Sequence, residues 1–181
     1  MDEKRQNLQR HENTINQLVD KFKDMVFNTS IGFLGNVADA EDATQDTFIS
    51  IYQNLDGFNE QSEIKTWIYR ITVNVCLQQL RRRKIRPSGG SVEEMPPLLD
   101  FVHPGVKLEN KELATTLYNA VQNLPENQKA VFTLQKIEGL SHEEIGEIMD
   151  KSKSSIESLM HRAKENLKIA LQSYRKEYHG K

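Results

Sequence analysis

Cysteine is nearly absent from this chain: Cys76 is the only one in 181 residues. A single thiol excludes an internal disulfide and any multi-cysteine zinc site, and it suits a reducing compartment. Long apolar runs are missing too, since no stretch approaches the roughly 20 residues that span a bilayer. The N-terminal MDEKRQNLQRHEN is charged throughout and has no apolar segment, so no secretory signal is expected and a cytoplasmic location is. There is no glycine-rich phosphate loop or other NTPase signature. The five histidines (His11, His103, His142, His161, His179) are scattered, and no Ser/His/Asp set or metal-spaced cluster emerges. An enzyme, a metal site and a cofactor are therefore not expected.

The local absences say more. From Gly35 to Ser62 there is no Lys or Arg, and from Ile64 to Val92 no Asp or Glu. The first stretch holds Asp39, Glu41, Asp42, Asp46, Asp56 and Glu60; the second holds Lys65, Arg70, Arg81, Arg82, Arg83, Lys84 and Arg86. A chain of net charge −2 has thus sorted its charge into adjoining acidic and basic segments. A basic helical surface fits a phosphate backbone, which would repel an acidic one. One partner of this half is expected to be nucleic acid and another a basic surface, most simply protein.

The apolar spacing is helical nearly throughout, and no strand-like alternation is long enough for a sheet. Leu18, Phe22, Met25 and Val26 mark a first helix, interrupted after them by Gly32 to Gly35. A second runs from about Ala38 to Leu55, with Ala40, Ala43, Thr47, Phe48 and Ile51 on one face. After a loop at Asp56 to Asn59, a third begins near Glu63, carries Ile64, Trp67, Ile68, Ile71 and Val75, and ends in the basic run before Pro87. Pro87, Pro96, Pro97 and Pro104 then fall close together with Gly89, Gly90 and Gly105, which predicts a linker over 87–105. The division is 1–86, linker 87–105, and 106–181: an all-α chain of two small helical domains joined by a flexible linker. The linker permits the domains to be either splayed or packed together.

In the second domain one spacing is specific. Leu124-Pro125 opens a helix that Gly139 ends, with Pro125 at a first-turn position. Ser141 caps the next, with Glu144 three residues on to complete a capping box. That helix, His142 to Met149, is followed by the polar turn Asp150-Lys151-Ser152 and a longer helix with the stripe Ile156, Leu159, Met160, Ala163, Leu167 and Leu171. Short helix, tight turn and longer helix make a helix-turn-helix, whose second helix enters the major groove. Off the stripe lie Ser154, Ser155, Glu157, Ser158, His161 and Arg162, side chains able to meet base edges or phosphates. The same face also suits the solvated side of an ordinary helical hairpin.

Together these segments resemble a family. Asp39-Ala-Glu-Asp-Ala-Thr-Gln-Asp-Thr-Phe48, Ile64-Lys-Thr-Trp-Ile-Tyr-Arg-Ile71, Asn74 and Leu80-Arg-Arg-Arg83 are similar to region 2 of a sigma factor. Leu124-Pro-Glu-Asn-Gln-Lys-Ala-Val-Phe132, Glu138-Gly-Leu-Ser-His-Glu-Glu-Ile145 and Ser158 to Leu167 are similar to region 4. With no region 3 between them, the order resembles the extracytoplasmic function (ECF) group of the sigma-70 family, over roughly residues 12–172.

The resemblance implies a non-enzymatic protein that binds core RNA polymerase, recognises the −35 and −10 promoter elements and assists melting. Asp39, Glu41, Asp42, Gln45 and Phe48 would hold the β′ clamp helices, although Phe48 fits the helical core equally. Phe58, Asn59, Ser62, Lys65, Thr66, Tyr69, Arg70, Asn74, Arg81, Arg82 and Arg83 would take the −10 DNA, with Thr66, Arg70 and Asn74 on one exposed face. Ser154, Ser155, Glu157, Ser158, His161, Arg162 and Lys164 would take the −35 DNA, and the second domain would also meet the β flap. Glu157 and Leu159 depart from the basic residues common there in the family. A flipped non-template base held by the Phe58 loop would supply a few kcal/mol toward melting. An anti-sigma factor is a further implied partner. The rival is a helix-turn-helix regulator of the response-regulator output type; its α/β receiver has no counterpart in the first hundred residues.

Overall fold

Apolar residues at helical spacing and two glycines at positive φ set where the helices run and stop. The computed structural model describes residues 2–58, 62–85 and 111–179, with side chains at 12–58, 62–83 and 115–172. Asn59 and the expected linker over 87–105 lie outside them. The described residues form α1 (Asp2–Leu34), α2 (Val37–Asn54), a single 3₁₀ turn (Leu55–Gly57), α3 (Ile64–Ile85), α4 (Lys111–Gln122), α5 (Glu126–Lys136), α6 (His142–Met149) and α7 (Lys153–His179). The chain is all-α, as expected.

Two helix boundaries differ from the sequence reading. Helix α1 does not break at Gly32 but runs through it to Leu34, and Gly35 alone, at φ 77°, turns the chain out. Its N–H still closes onto the Ile31 carbonyl at 2.9 Å, so the left-handed residue seals the helix end. Pro125 is the cap residue rather than the first helical one, and α5 starts at Glu126. Asn36 caps α2 by accepting from the Asp39 N–H at 2.9 Å.

Helices α1, α2 and α3 pack on one another and bury Phe22, Val26, Ile51 and Ile68, with Phe48 and Trp67 half-buried against them. In the second half α7 is the common partner of α4, α5 and α6. The two halves do not stand apart. One core continues from Phe33, Leu34, Ala43, Tyr69, Val73 and Cys76 into Val121, Leu124, Val131, Leu134, Ile145, Ile156 and Met160. Helix α3 packs on α5 and α6, and α1 on α5. The seam is close because Gly32 of α1 and Gly35 just after it lack a Cβ: one at Gly32 would lie 2.6 Å from both Thr133 Cγ2 and Ile137 Cδ1, and one at Gly35 2.6 Å from the Tyr118 hydroxyl.

Cys76 is fully buried, its Sγ 3.6 Å from Ser30 Oγ, and burial pushes its thiol up to about 12. The thiolate is the reactive form. Cys76 is therefore expected to resist a maleimide or disulfide reagent at pH 8 in the folded protein and to react at once in denaturant. Rapid labelling of the native chain would contradict this packing.

Candidate promoter and polymerase surfaces

The acidic and basic segments become two neighbouring helix faces. Helix α2 buries Ala40, Ala43, Thr47 and Ile51, which turns Glu41, Asp42, Gln45 and Asp46 to solvent. Phe48 is half-buried on the inner side. Asp39 is drawn inward: its carboxylate accepts from Asn36 Nδ2 at 2.5 Å and pairs with Arg83. Two apolar side chains stand among the outward acids, Ile49 at 48 % and Tyr52 at 45 % exposure. Sequence reading passed over Ile49; the signal was a large apolar residue off the buried face of an amphipathic helix.

On α3, Arg70 and Asn74 are exposed and Thr66 is half-buried. At its N-terminal end the Phe58 ring packs on Trp67, centroids 5.1 Å apart, and Ser62 is half-buried. Lys65 Nζ lies 5.8 Å from the Tyr69 ring centroid, a cation–π distance. Tyr69 is not on the open face. It is 2 % exposed, and its hydroxyl donates to Glu138 Oε2 at 2.7 Å. Burial raises the tyrosine's pKa, reinforced by the carboxylate of Glu138, whose own pKa burial also raises. Arg70 Nε donates to the Glu147 carbonyl at 2.9 Å, and Arg81 Nε to Glu126 Oε2 at 3.1 Å. Arg83 donates to the Leu34 carbonyl at 3.1 Å, while Arg82 is exposed.

The helix-turn-helix is built from α6 and α7. Ser141 Oγ accepts from the Glu144 N–H at 3.2 Å while Glu144 Oε2 accepts from the Ser141 N–H at 2.7 Å, completing the expected capping box. The Ser141 N–H, donated to the charged carboxylate, holds the Glu144 carboxyl below its usual range. The turn closes through Asp150 at φ 52° and the Lys151 N–H bonded to Gly146 O at 2.9 Å. Lys153 Nζ, 2.5 Å from Glu143 Oε1, ties the two helices across it. Helix α7 buries Ile156, Met160, Ala163 and Leu167, and leaves Ser154, Ser155, Ser158, His161, Arg162 and Lys164 exposed. A shallow hollow there is lined by Asn127, Lys151, Ser154, Ser155, Ser158 and Arg162 among others. Glu157 leans the other way, its Oε1 3.8 Å from His142 Nδ1.

Residues 18–85 match the family model Sigma-70 region 2, and residues 114–167 match Sigma-70, region 4. The chain is 31 % identical over 162 residues to the ECF RNA polymerase sigma factor SigW of Bacillus subtilis, covering 85 % of this chain and 87 % of that protein. This chain is an ECF sigma factor. It is also 31 % identical over 163 residues to the RNA polymerase sigma-H factor of Pseudomonas aeruginosa, covering 86 % of this chain and 84 % of that protein. Among solved structures, CnrH in complex with the cytosolic domain of CnrY shares the fold at a TM-score of 0.64 and 23 % identity, covering 90 % of each chain. The sigma factor RpoE in complex with the anti-sigma factor NepR from Bartonella quintana does so at 0.62 and 22 %, covering 87 % of this chain and 96 % of that one. Among the described residues of this sigma factor, no helix is long and apolar enough to cross a membrane.

Proposed function

We propose that this sigma factor binds core RNA polymerase through the outward face of α2 and directs promoter-specific initiation. Helix α3 takes the −10 element, α7 takes the −35 element, and melting runs on the binding energy of unpaired bases. The observation that carries the reading is the adjacency of two opposed faces. Glu41, Asp42, Gln45, Asp46, Ile49 and Tyr52 stand outward on α2, while Arg70, Asn74 and Arg82 stand outward on α3. An acidic face with apolar side chains in it suits a basic protein surface, and a face with no acid suits phosphate. On α7 the serines, Arg162 and Lys164 supply donors where a recognition helix meets a groove. Regulation by an anti-sigma factor is part of the proposal, supported by the partner with which RpoE of Bartonella quintana was solved.

Two charge variants test the division of labour. Asp42→Lys is expected to weaken core binding and, through it, transcription, because one reversed charge faces a surface selected for acid. Arg70→Ala is expected to keep core binding and cut run-off transcription by about tenfold, the effect of losing roughly 1.4 kcal/mol of phosphate or base contact. Core pull-down beside run-off transcription reads both. Equal losses of core binding in the two variants would overturn the assignment.

A further inference from the structure

One acid stands on the open face of α7. Ser154, Ser158, His161, Arg162 and Lys164 offer hydroxyls or nitrogens there, and Glu157 shares the face with its side chain 51 % exposed. Against phosphate a carboxylate is a cost, since like charges repel. Against base edges it can gain at one base above the others. Guanine shows a carboxylate the N7 and O6 acceptors, and thymine the O4 acceptor and a methyl group. Adenine sets its N6 donor beside the N7 acceptor, which repels the second oxygen. Cytosine alone presents a donor, the N4 amino group, with no acceptor at its side.

The side chain is also steered. Glu157 Oε1 lies 3.8 Å from Nδ1 of His142, the first residue of α6, whose helix end the Ser141–Glu144 box fixes. The other ring nitrogen, Nε2, is 2.7 Å from the Gln135 side-chain nitrogen at the end of α5. An amide nitrogen only donates, so the ring Nε2 accepts and the ring proton stands on Nδ1, on the side of Glu157. Lys153, one turn earlier on α7, is spent on Glu143 at 2.5 Å. Three helices thus meet at one acid: α5 orients the imidazole, and the imidazole of α6 orients the carboxylate of α7. At 3.8 Å the carboxylate is directed but not bound, and its exposure lets it turn to a base. We propose that Glu157 is a specificity-determining residue, selecting a cytosine in the −35 element by accepting from N4, and that His142 is its positioning residue. The inference rests on the reading of α7 as the −35 helix.

Base preference, scored position by position, tests this. The full chain with bacterial core polymerase transcribes templates randomised in the block farther from the start, and the transcribed templates are sequenced. The unsubstituted protein is expected to favour cytosine about fivefold at one position, the lower end of what a good side chain–base pair discriminates. Glu157→Ala should level that position. Glu157→Gln, whose amide both donates and accepts, should turn it toward adenine. His142→Ala is expected to bring the preference down to about twofold, the loss of a support that only orients. His142→Asn keeps a donor where Nδ1 stands and should restore it. A merely structural His142 would instead lower transcription from every template alike. No cytosine position with the unsubstituted protein, a profile unchanged by Glu157→Ala, or a His142→Ala variant that keeps the preference or loses all templates uniformly would each overturn the inference. Failure of the α7 reading looks different, because Arg162→Ala would then leave the farther block unchanged as well. Failure of the sigma-factor reading would give no protein-dependent transcript at all.

Discussion

Alanine at Gly146 is expected to destabilise the protein, and valine to dismantle the helix-turn-helix. In a free helix the first change would do the reverse, since Ala is favoured over Gly in a helix interior by about 1 kcal/mol. Here the new Cβ would meet the Lys151 carbonyl oxygen at 2.7 Å. That oxygen belongs to backbone already fixed by the Lys151 N–H bond to Gly146 O and by Asp150 at φ 52°, so it cannot swing away as a side chain would. Overpacking of this kind typically costs about 1–3 kcal/mol, and a β-branched residue pressed on backbone belongs at the upper end or beyond. Helix α6 would lift from α7 and expose Ile145 and Ile156, both fully buried. Urea denaturation followed by circular dichroism reads the sign directly. A stabilised Gly146→Ala would contradict the geometry of the turn.

Phe33→Ala is expected to cost about 3–5 kcal/mol, the usual range for deleting a fully buried phenylalanine. Phe33 is 0 % exposed although it lies one residue from the end of α1, where a helix normally meets water. It is buried because the shared core runs past it into Val121, Leu124 and Val131 of the second half. The cost should therefore fall on both halves, shifting one cooperative urea transition to lower denaturant. A loss under about 1 kcal/mol would show that the seam is not packed around Phe33 as described, because an exposed site tolerates such a change.

How far the sequence carries the fold depends on the range of the interactions involved. Helices α2 and α3 and the α6–α7 pair were legible, because each is set by local terms: apolar spacing, the Ser141–Glu144 box and polar turn residues. The acid-free and base-free segments mapped onto adjacent helix faces for the same reason. Gly32 misled, because glycine ordinarily breaks a pattern, and here it serves a close approach to Thr133 and Ile137 from over a hundred residues away. Gly146 and Asp150 gave no warning, since a glycine inside a helix and an aspartate in left-handed backbone declare themselves only once the Lys151 carbonyl is placed. Tyr69 and Asp39 carried residue types suited to binding, yet one is buried under Glu138 and the other pairs with Arg83. Packing between the halves decides the first and packing of α3 on α2 the second, and no local pattern encodes either. Ile49 was visible as an apolar residue on a charged face, and the buried stripe beside it drew the eye instead.

The most direct measurement maps the 5′ ends of transcripts made by bacterial core RNA polymerase on a randomised promoter library, with and without this protein. A sigma factor that reads DNA through α3 and α7 is expected to give transcripts whose templates share two sequence blocks at fixed spacing upstream of the start. Substitutions in α3 should change the block nearer the start, and substitutions in α7 the farther one. Start sites unchanged by the protein, from folded chain that co-purifies with that core, would contradict the account.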